Sequence, residues 1–372
     1  MRVKKQWKNI LCGGAVFVLL AWTVRAILRE QTPGQLASAL MSADWRILLL
    51  GVPQMALCLC CEAKATHSIL RALGAAQPFR RCCYYSCVGF LFSSITPSST
   101  GGQPAQVCAM GRDGVPAATG ALDMLLVSIG YNTAAMLYGI FALMTAGGLM
   151  DRLGGQIGLM LGLGLAIFAA TDVMMFLFLL LPGPTRRLCR WCIGLTCRIR
   201  PALDRNALEE RVDGQLREYQ RGSEFIRRNP ILLVKVVGFS ALQLACSYAM
   251  PYTVFRAFGL TGFSLGQVLA MQALCAIAVG YLPLPGSAGA AENVFLRSFL
   301  LIFGEGFVAP AMILSRTMSC YLVMAVTGLI LLAGRGLRGR GQPLPNPPEK
   351  NALPGKPREG MRKQKTAAVL LK

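Results

Sequence analysis

The sequence predicts an all-α polytopic membrane protein with about six full transmembrane helices and two re-entrant broken-helix hairpins in an inverted-repeat arrangement. Composition is the first reason. Of 372 residues, 54% are hydrophobic and 15% charged, and the mean hydropathy is +0.50, where a soluble domain carries about 25% charged residues. Length is the second, since several apolar runs reach about 20 residues, enough to span a hydrocarbon core about 30 Å thick. The third is a pair of breaks, Thr96–Pro104 and Pro283–Gly289, inside two of those runs. Proline removes a helix donor and glycine weakens what remains, so neither run continues as one helix.

In chain order, residues 1–8 form a basic N-terminus and an apolar run from Asn9 to Leu28 reads as a signal-anchor helix. A second span covers Arg46 to Glu62 and is followed by Lys64, Arg71, Arg80 and Arg81. The first interrupted segment covers Cys83 to Met110. Spans from Pro116 to Ala146 and Gln156 to Leu181 follow, joined by a loop with Asp151 and Arg152. Residues 183–230 form a basic loop with eleven arginines, within which Asp204 to Arg228 has helical composition and a loose apolar stripe of Leu203, Ala207, Val212, Leu216 and Tyr219. That pattern fits a helix lying on the membrane surface or a solvated connector. A span from Ile231 to Phe258, a second interrupted segment from Ser264 to Phe303 and a last span from Phe307 to Ala333 complete the 9–333 membrane domain. Residues 334–372, rich in Pro, Gly, Lys and Arg, read as a disordered tail.

Charge decides the topology. If both interrupted segments are hairpins that return to the side they entered, most of the 38 Lys and Arg residues face one side, as the positive-inside rule requires. The N-terminus, Arg112, the 183–230 loop and the tail are then cytoplasmic, and the hairpins enter from opposite faces. The formal charge of +21 is thereby explained without nucleic acid. The expected partners are the membrane and a phospholipid substrate, with an enzyme partner and self-association left open.

Broken backbone at membrane depth survives where it is buried in protein or lines a wet cavity, and paired breaks mark transporter sites. The first break offers Thr96, Pro97, Ser98, Ser99, Thr100, Gly101, Gly102 and Gln103, whose free N–H groups and hydroxyls suit an anionic head group. The second offers Pro283, Pro285, Gly286 and Gly289 and ends in Glu292, with Arg316 in the last span as an available charge partner. Intramembrane charge marks a site by default, so Asp123, Asp172, Lys235 and Arg297 are weaker candidates, Asp123 lying close enough to its helix start to face the interface. No P-loop is present and His67 is the one histidine, so nothing points to a cofactor. The 14 cysteines lack disulfide spacing, and Cys189, Cys192 and Cys197 lack a second ligand pair for a metal.

The stretch Thr96-Pro97-Ser98-Ser99-Thr100-Gly101-Gly102-Gln103-Pro104 resembles the Thr-Pro…Gly-Gly-Gln-Pro signature of the lysylphosphatidylglycerol synthase transmembrane region family. Pro283 to Glu292 is similar to that family's Pro-x-Pro-Gly-Gly-x-Gly-x-x-Glu element, with Ser287 in place of a glycine. The family is flippase-like and related to the membrane half of the multiple peptide resistance factor. The resemblance implies a domain that moves phospholipid between leaflets of the bacterial inner membrane, in a system conferring resistance to cationic antimicrobial peptides. In two-part relatives a soluble domain transfers lysine to phosphatidylglycerol. The tail after the last span is too short for such a domain, so the expectation is a translocator rather than an enzyme.

Overall fold

The computed structural model describes residues 40–96, 99–145, 155–181, 183, 187, 205–280 and 290–338, all within one compact unit. The N-terminal run, Pro97, Ser98, the Asp151–Arg152 loop, Cys189, Cys192 and Cys197, the break at Pro283, Pro285, Gly286 and Gly289, and residues 339–372 of the tail lie outside them, whereas residues 334–338, expected as the start of a disordered tail, continue the last helix.

Every described element is helical: α1 (Trp45–Leu49), α2 (Gly51–Ala72), α3 (Phe79–Ile95), α4 (Gly102–Arg112), α5 (Ala117–Thr145), α6 (Gly155–Leu180), α7 (Arg205–Arg228), α8 (Pro230–Tyr248), α9 (Met250–Ala257), α10 (Leu265–Val279), α11 (Ala290–Phe303), α12 (Val308–Arg316), a π-turn (Thr317–Tyr321) and α13 (Leu322–Arg338). Among the described residues five helical runs are long and apolar enough to cross a membrane, namely α1–α2, α5, α6, α8–α9 and α12–α13. They coincide with five of the six expected spans, the sixth being the N-terminal run. Leu137, Leu163, Val173, Ile231, Val234 and Leu329 are exposed around them. A water-soluble surface rarely shows so much contiguous apolar area, so this perimeter is a lipid-facing one.

The helices share two ends. At one, the Asp44 amide donates to the Ala257 carbonyl at 2.8 Å and Phe258 packs on Phe307, ring centroids 5.1 Å apart. At the other, Leu70, Tyr85, Met110, Val115 and Leu331 form one buried cluster. This second end carries Arg71, Arg80, Arg81, Arg112, Arg227 and Arg228 in the turns and helix ends that meet there, and we term it the basic end.

α3 and α4 are antiparallel limbs of a hairpin based at the basic end. Asp113, just after α4, reaches back to α3, with Arg81 Nη1 3.3 Å from its Oδ1 and Tyr85 Oη donating to its Oδ2 at 2.7 Å. Further in, Gly89 abuts Gln106 and Gly102 abuts Ser93. α4 has 11 residues, about 16 Å of helix and roughly half a hydrocarbon core. The second pair, α10 and α11, is based at the opposite end. Their 15 and 14 residues are also too short to span, at about 22 Å each. They pack through Val268, Met271, Cys275 and Val279 against Val294, Phe295, Phe299 and Phe303, together with Phe255 of α9. A capping box of Ser264 and Gln267 starts α10.

Three boundaries depart from expectation. α2 runs ten residues past Glu62, so this carboxylate sits mid-helix. The span from Ile231 breaks at Ala249 because Pro251 cannot donate. The helix expected over 204–228 forms over 205–228, and the described part of its apolar face packs on protein: Leu216, Ser223 and Ile226 are buried, Tyr219 Oη donates to the Phe178 carbonyl at 3.3 Å, and Ser223 Oγ donates to the Leu179 carbonyl. Its C-terminal half caps the bundle.

Candidate functional site

The tip of the first hairpin is held by its own polar side chains. Thr96 Oγ1 donates to the Phe92 carbonyl at 2.7 Å and accepts from the Gly101 amide at 2.9 Å. Ser93 Oγ donates to the Ser99 carbonyl at 3.3 Å, and Ser99 has φ of 56°, a left-handed conformation uncommon for serine. Thr96 is therefore engaged in closing the turn, while Thr100 stays exposed beside it. Gly101 and Gly102 are required by packing. A Cβ on Gly102 would sit 2.0 Å from Ser93 Oγ and 2.7 Å from the Gly89 carbonyl, so the limbs meet backbone to backbone.

That close approach inserts the polar face of α4 into the bundle. Gln103 Nε2 donates to Ser128 Oγ of α5 at 2.6 Å. One turn later, Gln106 Nε2 donates to Glu62 Oε1 of α2 at 2.8 Å. The other carboxylate oxygen accepts from Gln243 Nε2 of α8 at 3.1 Å. Three helices thus converge on one half-buried carboxylate. Tyr131 of α5 stands beside Glu62 and Cys58 and beside Tyr248 of α8, and 39% of it is accessible. Glu62, Gln106 and Gln243 were not singled out from the sequence. The available signal was a carboxylate and a glutamine, Glu62 and Gln54, eight residues apart on one helix face of an apolar run. Gln54 is likewise engaged, donating to the Cys246 carbonyl at 2.6 Å beside the Pro251 break and accepting from Thr253 at 2.8 Å.

The second charged cluster joins the other hairpin to the last span. Glu292 lies in the first turn of α11, where the helix N-terminus favours a negative charge. Arg316 ends α12, and its Nε lies 3.3 Å from Glu292 Oε1. The π-turn begins at the next residue; such insertions disturb the i→i−4 ladder and recur at functional positions. Cys320 of this turn neighbours both charges.

The remaining intramembrane charges divide. Asp123 does not face the interface but is wholly buried. Neither of its oxygens makes a geometrically sound hydrogen bond, and the Thr66 hydroxyl of α2 interacts with it. Asp172 is buried and accepts from Thr133 Oγ1 at 3.2 Å. Lys235 and Arg297 are exposed on the perimeter, away from both clusters. Among the described residues no group of three His, Cys, Asp or Glu could hold a metal ion.

A polar interior reached from two sides by short hairpins, inside an apolar perimeter, suits the handling of an amphiphile. The family model described as "Lysylphosphatidylglycerol synthase TM region" matches residues 10–327, which include both hairpins and both charged clusters. No curated protein matches the chain. With nearly all of its helical domain covered by that match, the chain belongs to the lysylphosphatidylglycerol synthase transmembrane-region family.

Proposed function

We propose that this protein is a lipid translocator of the bacterial cytoplasmic membrane, moving an anionic or aminoacylated phospholipid or another lipid-linked molecule between leaflets. The observation that carries the reading is the pair of short hairpins based at opposite ends of the bundle, the arrangement through which alternating access works in repeat-built transporters. The head group passes the polar line from Thr100 and Gln103 to Glu62, with the Glu292–Arg316 pair serving the second hairpin. An apolar groove of about 350 Å³ lined by Leu137, Phe141, Leu265 and Leu269 offers a place for an acyl chain. The basic end is cytoplasmic, with both termini on that side.

Reconstitution into vesicles with leaflet-specific quenching of labelled lipid tests this. The wild-type chain exchanges lipid, and the Gln103→Ala, Glu292→Ala double variant slows exchange by about tenfold or more, the equivalent of about 1.4 kcal/mol. Equal rates in both refute the site. A second reading follows from the family and the resemblance that identified it: the chain is the membrane component of a lysylphosphatidylglycerol synthase system that works with a lipid-modifying partner enzyme and protects against cationic antimicrobial peptides. New lysyl lipid in cells expressing this chain alone would favour it.

A further inference from the structure

We propose that Asp123 binds a proton and, with Glu62, forms a two-carboxyl proton site that couples proton movement to the first hairpin. The link to lipid rests on the translocation reading above; the proton site itself does not.

Asp123 is the seventh of the 29 residues of α5, about 9 Å in from the basic end at helical rise. It is wholly buried, with neither oxygen in a sound hydrogen bond. The ion pairs among the described residues are Arg81–Asp113, Arg228–Glu224 and Arg316–Glu292, so none of them supplies Asp123 with a cation. Its polar neighbours are the Thr66 hydroxyl and Glu62 of α2 and the Cys82 thiol of α3. The other helices meet this stretch of α5 through apolar groups. α4 brings Val107 and Met110 against Gly120, and α7 brings Gly222 against Leu122. Leu179 of α6 and Val236 of α8 share a cluster with Leu122, and Leu331 of α13 shares one with Met124. Around Glu62 stand Cys58, Cys87 and Tyr131, again without a positive charge. A carboxyl closed off from water and from cations takes up a proton.

Glu62 is in the opposite position. Each of its oxygens accepts from an amide, Gln106 on one and Gln243 on the other, and a carboxylate accepts where an acid must donate. The proton therefore sits on Asp123 and the charge on Glu62. Thr66 links the two. It is buried, follows Glu62 by four residues and so lies one turn away on the same face of α2, and its hydroxyl interacts with Asp123. A hydroxyl both donates and accepts. The Asp123 proton passes to Thr66 Oγ as the Thr66 proton passes to Glu62, so one O–H bond breaks on Asp123, one forms on Glu62 and Thr66 is left as it was. The trigger is α4. Gln106 belongs to the return limb of the hairpin, and its withdrawal from Glu62 Oε1 leaves that oxygen free to hold the proton. Hairpin position and proton position are thereby tied together, as in the carboxyl relays of pumps and transporters.

The test is the infrared spectrum of the full-length chain in detergent. At about pH 6 ordinary carboxyl side chains are ionised, so the carbonyl stretch of a protonated carboxyl marks a sequestered one. The wild-type chain shows this band, D123N loses it, and Q106A shifts its frequency because the proton then resides on Glu62. A wild-type spectrum without the band overturns the inference, as does a D123N spectrum identical to wild type. An unshifted band in Q106A overturns the exchange between the two carboxyls. If D123N does not fold, vesicles holding the wild-type chain decide. A pH difference across their membrane speeds lipid exchange by about fivefold, a coupling of ordinary size, and a proton carrier that collapses the difference removes the gain. Exchange indifferent to the pH difference overturns the coupling. Absence of lipid exchange under every condition, beside an Asp123 band in the infrared, refutes translocation and leaves the proton site standing.

Discussion

Glu62 and Gln243 stand 181 residues apart in the chain, yet Gln243 Nε2 lies 3.1 Å from Glu62 Oε2. With Gln106 on the other oxygen, this one carboxylate ties the return limb of the first hairpin to two spanning helices. Hydrogen bonds to a charged group at low dielectric are about twice as strong as neutral ones. Any movement of α4 along the bundle therefore breaks or exchanges bonds at Glu62, which makes the carboxylate a latch on the hairpin.

The hairpin depends on backbone contact at its tip. Gly102→Ala places a methyl 2.0 Å from Ser93 Oγ and 2.7 Å from a carbonyl oxygen that cannot move aside. The limbs must separate, at a cost of about 1–3 kcal/mol, and the Gln103–Ser128 bond goes with them. Gly111→Ala, in the same helix with nothing within 4 Å of the added carbon, leaves the unfolding midpoint unchanged or slightly raised. Thermal unfolding of the two variants side by side checks this.

The base of the hairpin fixes the sidedness. Asp113 contacts Arg81 and Tyr85, so the residues before α3 and after α4 share one face. In a background freed of the 14 native cysteines, single cysteines at Arg80 and Arg112 react with a membrane-impermeant thiol reagent from the same side. A cysteine at Arg256 reacts from the other. Labelling of Arg112 and Arg256 from one side would mean that α3 and α4 do not form a hairpin in the membrane.

Legibility in the sequence followed the kind of signal each feature leaves. Five spans were readable because membrane depth forces about 20 apolar residues in a row. The hairpins were readable because Pro97, Pro104, Pro283 and Pro285 forbid a continuous ladder. The Glu62 cluster was not. Its three members come from α2, α4 and α8, and each alone is one polar residue in an apolar run; only tertiary packing joins them. The extent of α2 was misjudged for the same reason, since Glu62, Lys64 and Arg71 look like the end of a span when the amides opposite Glu62 are unknown. The burial of α7 against α6 was also hidden, because an amphipathic stripe does not say whether protein or lipid will cover it.

Asp123 is a liability to the fold. Neither of its oxygens has a geometrically sound hydrogen bond and it is wholly buried, and an unpaired buried polar group costs about 1–3 kcal/mol. Asp123→Asn removes the charge at constant shape and raises the unfolding midpoint by several degrees. If lipid exchange falls in the same variant, the carboxylate is kept for function at the expense of stability. A lowered midpoint would mean that the carboxylate contributes a favourable contact.

The Glu292–Arg316 pair is the link between the second hairpin and the last span, and a double-mutant cycle measures it. Glu292 is 11% and Arg316 27% exposed at the side chain, with Nε and Oε1 3.3 Å apart. Removing one partner of a mostly buried pair strands the other charge, a loss of about 3–5 kcal/mol when burial is complete and less here because Arg316 keeps some access to solvent. Glu292→Gln and Arg316→Gln each lower the unfolding midpoint. The double variant restores part of the loss, because no stranded charge remains. Strict additivity of the two losses would show that the pair is not coupled. Lipid exchange separates structure from function: recovery of stability without recovery of exchange in the double variant assigns the charges to the head group, whereas parallel recovery of both reduces the pair to a strut between α11 and the end of α12.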